Sequence, residues 1–200
     1  MTDNKIKCLA CGVFKLEIEA LASQGKLDCE ITVLNSMLHM KPVMLEQEMN
    51  RLINEKPNDR FLLLYGDCHP HMHEMQNMEN VSKVAGINCC DILIGREIYR
   101  QLQKEQAFVF FPEWTHRWKE VFSYELGFTN SELGQTFMKE YRKKLVYIDT
   151  GVIPVPTETI QEISGFFGMP VEIMPVSLDI FFQGINNALQ KLKKHGNNGK

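Results

Sequence analysis

The chain of 200 residues is long enough for one domain with a sizeable core. Hydrophobic residues make up 44% of it and charged residues 24%, which is ordinary globular composition and excludes an intrinsically disordered chain. The net charge is −3, and there is no long basic run, so nucleic acid is not expected as a partner. No apolar stretch approaches the roughly 20 residues that cross a bilayer, so no membrane partner is expected either.

The six cysteines are informative because of the compartment that the sequence predicts. The N-terminal segment leads into a strand-like run without the apolar core of a signal peptide, which predicts a cytoplasmic protein. In a reducing compartment, six cysteines are not expected to form a disulfide framework. Some of them are therefore expected in the core, and the others need a chemical role.

Predicted strands and helices alternate along the chain. Apolar and β-branched runs predict strands over residues 6–13, 29–34, 61–65, 91–94, 108–111, 145–149 and 171–174, of which 91–94 is also consistent with the start of a buried helix. Apolar periodicity predicts helices over residues 16–21, 40–55, 97–104, 118–126, 131–143, 157–167 and 178–192. Ser131 is the candidate N-cap of the fifth helix.

This alternation predicts an α/β fold, with a mostly parallel sheet and helices on both faces. The order of the elements suggests two pseudo-equivalent halves. We expect a single domain over residues 1–192, with lobes of about 1–105 and 106–192 as an alternative division, and a flexible tail over 193–200.

Three cysteine-bearing loops are the strongest candidates for chemistry. Ligands of open parallel sheets collect beyond the carboxyl ends of the strands. Cys11 ends the first predicted strand, Cys68 follows the strand over 61–65, and Cys89 and Cys90 lie in a turn or at the start of the next element. Any single free cysteine is more often a core residue than a ligand. Convergence of the three loops nevertheless predicts a thiolate metal centre, to which His69 is a further candidate ligand.

The metal itself stays open at this point. Thiolates and imidazoles suit zinc, copper(I), cobalt or an iron–sulfur cluster. Three thiolates with an open fourth position would leave a metal reactive. Cys29 begins a strand, so it is expected at the opposite edge of the sheet in a structural role. Of the adjacent pair Cys89 and Cys90, one is expected to be a ligand and the other a core thiol.

Four residues after later strands are candidates for ligand binding. Trp114 and His116 follow the strand over 108–111, where they are suited to line a planar ligand, although a packed loop is equally consistent with the pattern. Asp149 and Thr150 end the strand over 145–149, where they either bind a polar ligand or form a turn. No dinucleotide-binding, P-loop or serine-hydrolase motif is present in the sequence.

Five short motifs share an order and spacing with a known family. They are Ala10-Cys11-Gly12, Tyr65-Gly66-Asp67-Cys68, Asn88-Cys89-Cys90-Asp91 with Ile94-Gly95, Phe111-Pro112-Glu113-Trp114, and Tyr147-Ile148-Asp149-Thr150-Gly151. Together they resemble the family catalogued as domain of unknown function 1638, over residues 6–190. The resemblance implies one cysteine in each of three loops, which are Cys11, Cys68 and Cys89, with Cys90 as the alternative in the third. Members are often encoded beside corrinoid-dependent methyltransferases in anaerobic bacteria and archaea, which implies a role near one-carbon metabolism.

Three classes of function follow from these patterns. The first is a metal-binding protein with a three-cysteine centre, iron–sulfur or zinc, in redox or methyl-transfer chemistry linked to corrinoid metabolism. The second is a module that delivers a metal or a corrinoid to a partner without turnover. The third is an enzyme with Cys68 or Cys11 as nucleophile and His69 or His116 as base. A corrinoid protein or a methyltransferase is the expected partner, with a homo-oligomer as an open alternative.

Overall fold

The computed structural model describes residues 6–195. The chain divides into two compact units, one formed by residues up to Gly95 together with those from Asp179 onward, and the other by Arg96–Leu178. Each unit contains a parallel sheet and helices, so the predicted α/β fold is confirmed. The strands form two sheets, of four and three strands.

Strands and helices alternate strictly in the first unit until its last two helices. Its elements are β1 Ile6–Cys11, α1 Lys15–Ser23, β2 Glu30–Leu34, α2 Pro42–Asn54, β3 Arg60–Leu64, α3 Met72–Gln76, β4 Val81–Lys83, α4 Cys89–Ile94 and, from the end of the chain, α9 Asp179–His195. Short 3-10 turns over Gly12–Phe14 and Ser36–Met40 follow β1 and β2. The strand order is β2-β1-β3-β4, with all pairs parallel.

This strand order creates a switch point in the first unit. The chain adds β2 on one side of β1 and then returns to add β3 on the other side. The connections that leave β1 and β3 therefore diverge, and the carboxyl ends of these two strands are the place where open α/β sheets bind ligands. Cys11 is the last residue of β1, and the segment Tyr65–Cys68 directly follows β3.

The core of the first unit explains which residues form its strands. Phe61, Leu62, Leu63 and Leu64 of β3 are all fully buried, as expected of a central parallel strand that is covered on both faces. Helix α9 packs against β3, β4 and α4, and the ring of Phe181 lies 5.0 Å from that of Phe14. Because of these contacts, α9 belongs to the first unit although it comes last in the chain.

The second unit is built around aromatic side chains. Its elements are α5 Arg96–Lys104, β5 Ala107–Phe110, α6 Pro112–His116, a π-helical turn Glu120–Glu125, α7 Ser131–Tyr141, β6 Lys144–Asp149, α8 Thr157–Phe167 and β7 Val171–Pro175. The sheet has the sequential parallel order β5-β6-β7, which contains no reversal and hence no switch point. The ring of Phe122 lies 5.3 Å from that of Phe110 and 5.4 Å from that of Phe167 in the core.

Several predicted elements differ in detail. Residues 91–94, predicted as a strand or a helix start, lie in α4. The prediction of Ser131 as an N-cap is wrong, because Asn130 takes that position and its side-chain oxygen accepts a hydrogen bond from the Leu133 N–H at 2.9 Å. The stretch predicted as a helix over 118–126 contains the π-helical turn instead of a regular α-helix. The short elements α3, α6 and β4 are not predicted from the sequence.

The units also divide the chain differently from the two predicted lobes. The division falls at Gly95, where α4 ends with a φ of 84°, instead of near residue 105. Of the predicted tail, residues 193–195 continue α9, and residues 196–200 lie outside the described part. Within residues 6–195, none of the helices is long and apolar enough to cross a membrane.

Candidate thiol site

Three cysteine side chains from three separate loops meet in the first unit. Cys11 comes from the end of β1, Cys68 from the loop after β3, and Cys89 from the first residue of α4. The side chain of Cys89 is hydrogen-bonded to those of both Cys11 and Cys68. Since a thiol carries a single proton, Cys89 can donate to only one of the two sulfurs at a time. The three sulfurs therefore form a chain with Cys89 at its centre.

The thiols of this site differ in acidity. The hydrogen bond from Cys89 is the main cause that lowers the pKa of Cys68; burial opposes it, and the Gly66 N–H and the Lys83 ammonium add to the lowering. The hydrogen bonds with Cys11 and Cys68, followed by burial, raise the pKa of Cys89 well above its ordinary value. Between these two, Cys68 is thus the thiol that ionises first, while Cys89 keeps its proton.

Backbone contact holds the loops of Cys68 and Cys89 together. A Cβ atom on Gly66 would lie 2.4 Å from the Cα atom of Asn88, so only glycine allows this approach. One residue further, the Asp67 N–H donates to the carbonyl oxygen of Ile87 at 2.9 Å. The distance between these two loops is therefore set by main-chain atoms.

The start of α4 determines which of the two adjacent cysteines joins the cluster. The Asn88 side chain accepts a hydrogen bond from the Asp91 N–H at 2.9 Å, and the Asp91 carboxylate accepts one from the Ile87 N–H at 2.9 Å. This reciprocal arrangement resembles a capping box and makes Cys89 the first helical residue. Cys90 is buried, which together with the charge of Asp91 raises its pKa to about 12.

Lys83, at the end of β4, is a site residue that sequence reasoning missed. Its side chain is only 6% exposed. Its Nζ atom donates to the carbonyl oxygen of Gly86 at 2.8 Å and lies 3.1 Å from a carboxylate oxygen of Asp67. Lys83 thereby joins the loop of Cys68 to the segment that leads to Cys89. A single lysine in a three-residue strand leaves no periodic signal in the sequence.

Tyr65 lies against the same thiols. Its hydroxyl donates to the carbonyl oxygen of Ala10 at 3.3 Å. Burial raises the pKa of the phenol, and the neighbouring cysteines raise it further, above all Cys11 and Cys89. The tyrosine therefore stays protonated and presents a neutral hydroxyl beside the site.

The remaining predicted metal ligand and two other cysteines interact with other groups. His69 directly follows Cys68. Burial lowers the pKa of its imidazole, and the other groups that act on this pKa are Glu46, His71 and Glu74, with no thiol among the described ones. Cys8 and Cys29 form a separate hydrogen-bonded pair, which, with burial, raises the pKa of Cys8. The same hydrogen bond lowers the pKa of Cys29, which directly precedes β2, and a structural role for Cys29 stays a prediction.

The four predicted ligand-binding residues lie in the second unit: Trp114, His116, Asp149 and Thr150. Trp114 packs edge-on against Phe111 at 5.6 Å, and His116 is exposed. The Asp149 carboxylate accepts a hydrogen bond from the Gly151 N–H at 2.9 Å, which is the turn that the sequence offered as the alternative. Ligand binding by these four residues stays a prediction.

The family of the chain is shown by a family model that matches residues 33–185 and is described as "Protein of unknown function (DUF1638)". The chain belongs to this family. The resemblance in the sequence motifs is thereby confirmed. The matched range of DUF1638 includes Cys68 and Cys89 and begins after Cys11. No curated protein and no solved structure matches the chain.

The donor set of this DUF1638 member suits a soft or borderline metal, because thiolates are the preferred ligands of zinc and of iron–sulfur clusters. As the side chains stand, no group of three or more His, Cys, Asp or Glu residues within residues 6–195 has the spacing of a metal-ion site. The three thiols are instead joined by hydrogen bonds that use thiol protons. Metal binding would require the loss of these protons and rotation of the side chains.

Proposed function

We propose that this protein binds a metal centre through the thiolates of Cys11, Cys68 and Cys89. The observation that supports the proposal is the contact of the Cys89 thiol with those of both Cys11 and Cys68, at the switch point between β1 and β3. Buried cysteines that only fill a core have no reason to gather at the edge where parallel sheets bind ligands. Three sulfur donors in one place are the first requirement of a thiolate metal centre.

Distance and charge both favour this use of the site. Zn–S bonds of about 2.3 Å hold the sulfurs of a tetrahedral site about 3.8 Å apart, a separation comparable to that of hydrogen-bonded thiols. Three thiolates and one Zn²⁺, or three thiolates and a [4Fe–4S]²⁺ cluster, leave one net negative charge. The buried ammonium of Lys83 favours the thiolate of Cys68, and its charge is shared with the Asp67 carboxylate 3.1 Å away.

Three protein ligands leave one coordination position open, which favours a reactive over a purely structural centre. Redox or methyl-transfer chemistry in corrinoid-linked one-carbon metabolism is the reaction class that the family resemblance suggests. Delivery of a metal or a corrinoid to a partner protein is the alternative use of the same ligands. A centre that transfers electrons would keep its metal, whereas a delivery module would exchange it with the partner.

The lowered pKa of Cys68 favours a second candidate, a cysteine-nucleophile enzyme. Of the two predicted histidine bases, His69 does not support this version, because its Nδ1 atom faces Glu46 at 3.9 Å. A role for His116 as the base stays a prediction. Activation would come instead from Cys89, the Gly66 N–H and Lys83. This candidate assigns no role to Cys11.

The test begins with anaerobic purification, an absorption spectrum, and quantification of iron, zinc, cobalt and acid-labile sulfide. We expect Cys11→Ser, Cys68→Ser and Cys89→Ser each to lose most of the bound metal, because each removes one of three ligands. Cys90→Ser is the matched control and should retain the metal. Normal metal content in all three ligand variants would contradict the proposal. A requirement for Cys68 alone, in a metal-free protein, would support the nucleophile instead.

A further inference from the structure

A second cluster of ligating side chains lies beside the thiol site in the first unit. Glu46 of α2 faces the segment between β3 and α3, which carries His69 and His71. The His71 Nδ1 atom lies 2.8 Å from Oε1 of Glu46, and the His69 Nδ1 atom lies 3.9 Å from Oε2 of the same carboxylate. The two oxygens of one carboxylate are thus each turned toward a different imidazole.

Both ring nitrogens of His69 are buried without a hydrogen-bond partner among residues 6–195, and the side chain as a whole is fully buried. A buried polar atom without a partner destabilises a protein by about 1–3 kcal/mol, and His69 has two such atoms in one ring. The carboxylate of Glu46, with a side chain 24% exposed, is the nearest acidic group that approaches the ring.

The structure also separates the three histidines of the His69-x-His71-x-His73 pattern. His69 and His71 share Glu46, whereas the Nδ1 atom of His73 is hydrogen-bonded to Gln76 within α3, at 2.7 Å. The geometry therefore selects two imidazoles and one carboxylate, a donor set found in catalytic zinc sites and other borderline metal sites.

We propose that Glu46, His69 and His71 bind a divalent metal ion of the zinc type, at a site separate from the three thiols. As they stand, the three side chains do not have the spacing of a metal site, so binding requires side-chain rotation. A metal about 2.1 Å from a nitrogen and an oxygen holds these atoms about 3.4 Å apart in tetrahedral geometry. The distances to the Glu46 oxygens, 2.8 Å from His71 Nδ1 and 3.9 Å from His69 Nδ1, lie on either side of 3.4 Å. To coordinate the metal, His71 gives up its hydrogen bond to Glu46 and rotates, which its 62% exposure permits. Solvent or a small ligand would fill the remaining position.

The test separates this site from the thiol centre. In the full chain with Cys11→Ser, Cys68→Ser and Cys89→Ser, binding of Zn²⁺ and Co²⁺ is measured by calorimetry and absorption. We expect one Co²⁺ per chain without a sulfur charge-transfer band. His69→Ala, His71→Ala and Glu46→Gln, each added to this background, should weaken Zn²⁺ binding about tenfold or more. His73→Ala is the matched control and should bind as the background does.

Equal binding by the His69→Ala and background proteins, or an equal loss in His73→Ala, would overturn the proposal. If the triple-serine background does not fold, the same four variants are compared in the wild-type chain with Co²⁺. The sulfur charge-transfer band then reports the thiols. The weaker d–d bands of the nitrogen and oxygen site should lose intensity in His69→Ala and keep it in His73→Ala. Failure of the thiol proposal would remove the sulfur band without affecting this comparison.

Discussion

Gly66 and Asn88 are in such close backbone contact that a Cβ atom on Gly66 would lie 2.4 Å from the Cα atom of Asn88. The contact is between main-chain atoms, so no side-chain rotation can relieve it. It sets the separation between the loop that carries Cys68 and the helix start that carries Cys89. The geometry of the thiol site therefore depends on a residue that has no chemistry of its own.

Gly66→Ala should push these two loops apart. We expect a loss of about 1–3 kcal/mol in the free energy of unfolding, measured in urea, and a loss of metal in the anaerobically purified protein. Gly165→Ala is the control, because nothing lies within 4 Å of a Cβ at that helical position. It should be neutral or stabilising by up to about 1 kcal/mol. Full stability and metal content in Gly66→Ala would show that the loops tolerate a wider separation.

Lys83→Met should make Cys68 less acidic in the metal-free protein. Cys89 is the main cause of the lowered pKa of Cys68, and the ammonium of Lys83 is one of the lesser causes. Without it, the thiolate fraction at neutral pH falls and alkylation of Cys68 by iodoacetamide becomes slower. Rates across pH, with Cys68 followed by peptide mass spectrometry, check this. Lys7→Met, whose lysine pairs with Glu30 and Asp59, should leave the profile unchanged.

Buried His69 should make stability depend on pH. Burial lowers the pKa of its imidazole in the folded state below the ordinary value of 6.5, with Glu46 opposing the shift. The unfolded chain then takes up the proton first, so the contribution is fully present above about pH 6.5 and is lost as the pH falls toward the folded-state pKa.

Urea unfolding between pH 7.5 and 5, with chelator present, measures this dependence. His69→Leu should remove part of the decline, which for one group cannot exceed about 1.4 kcal/mol per pH unit. His73→Leu, at an exposed position in the same segment, should keep the wild-type decline. An unchanged slope in His69→Leu would mean that other groups cause it.

Asn130→Ala should destabilise the second unit. Its side chain caps α7 through the Leu133 N–H, and loss of such a cap costs about 0.5–2 kcal/mol. Ser131→Ala removes the residue that the sequence favours as the cap and should have little effect. Thermal unfolding of the two variants compares them directly, and a larger effect of Ser131→Ala would restore the sequence-based assignment.

The place of the thiol site at the carboxyl ends of β1 and β3 could be predicted from the sequence, because both strands are clear in the apolar pattern. The buried run of β3 and the strand that ends in Cys11 are both recognisable, and the carboxyl ends of parallel strands share one edge of a sheet. Cys11 and Cys68 could therefore be placed together. The choice between Cys89 and Cys90 could not, because the short apolar run Asp91–Ile94 fits a strand or a helix, and only the cap formed by Asn88 decides it.

Other parts of the sites depend on tertiary contacts alone. The role of Lys83 follows from its hydrogen bond to Gly86 and from its charge near Asp67. No sequence pattern links Lys83 to either of these two residues. The pairing of His69 and His71 with Glu46 joins α2 to a segment that is distant along the chain. Such contacts arise from the packing of elements, which local patterns do not encode.

The return of α9 to the first unit has a consequence for synthesis on the ribosome. Strands β1 to β4 emerge early, but the helix that packs against β3 and β4 emerges only after the whole of the second unit has been translated. The apolar surface that Phe181 covers beside Phe14 stays open during that interval. The second unit, which is continuous in sequence, can complete its fold first, and the thiol-bearing unit is expected to mature last.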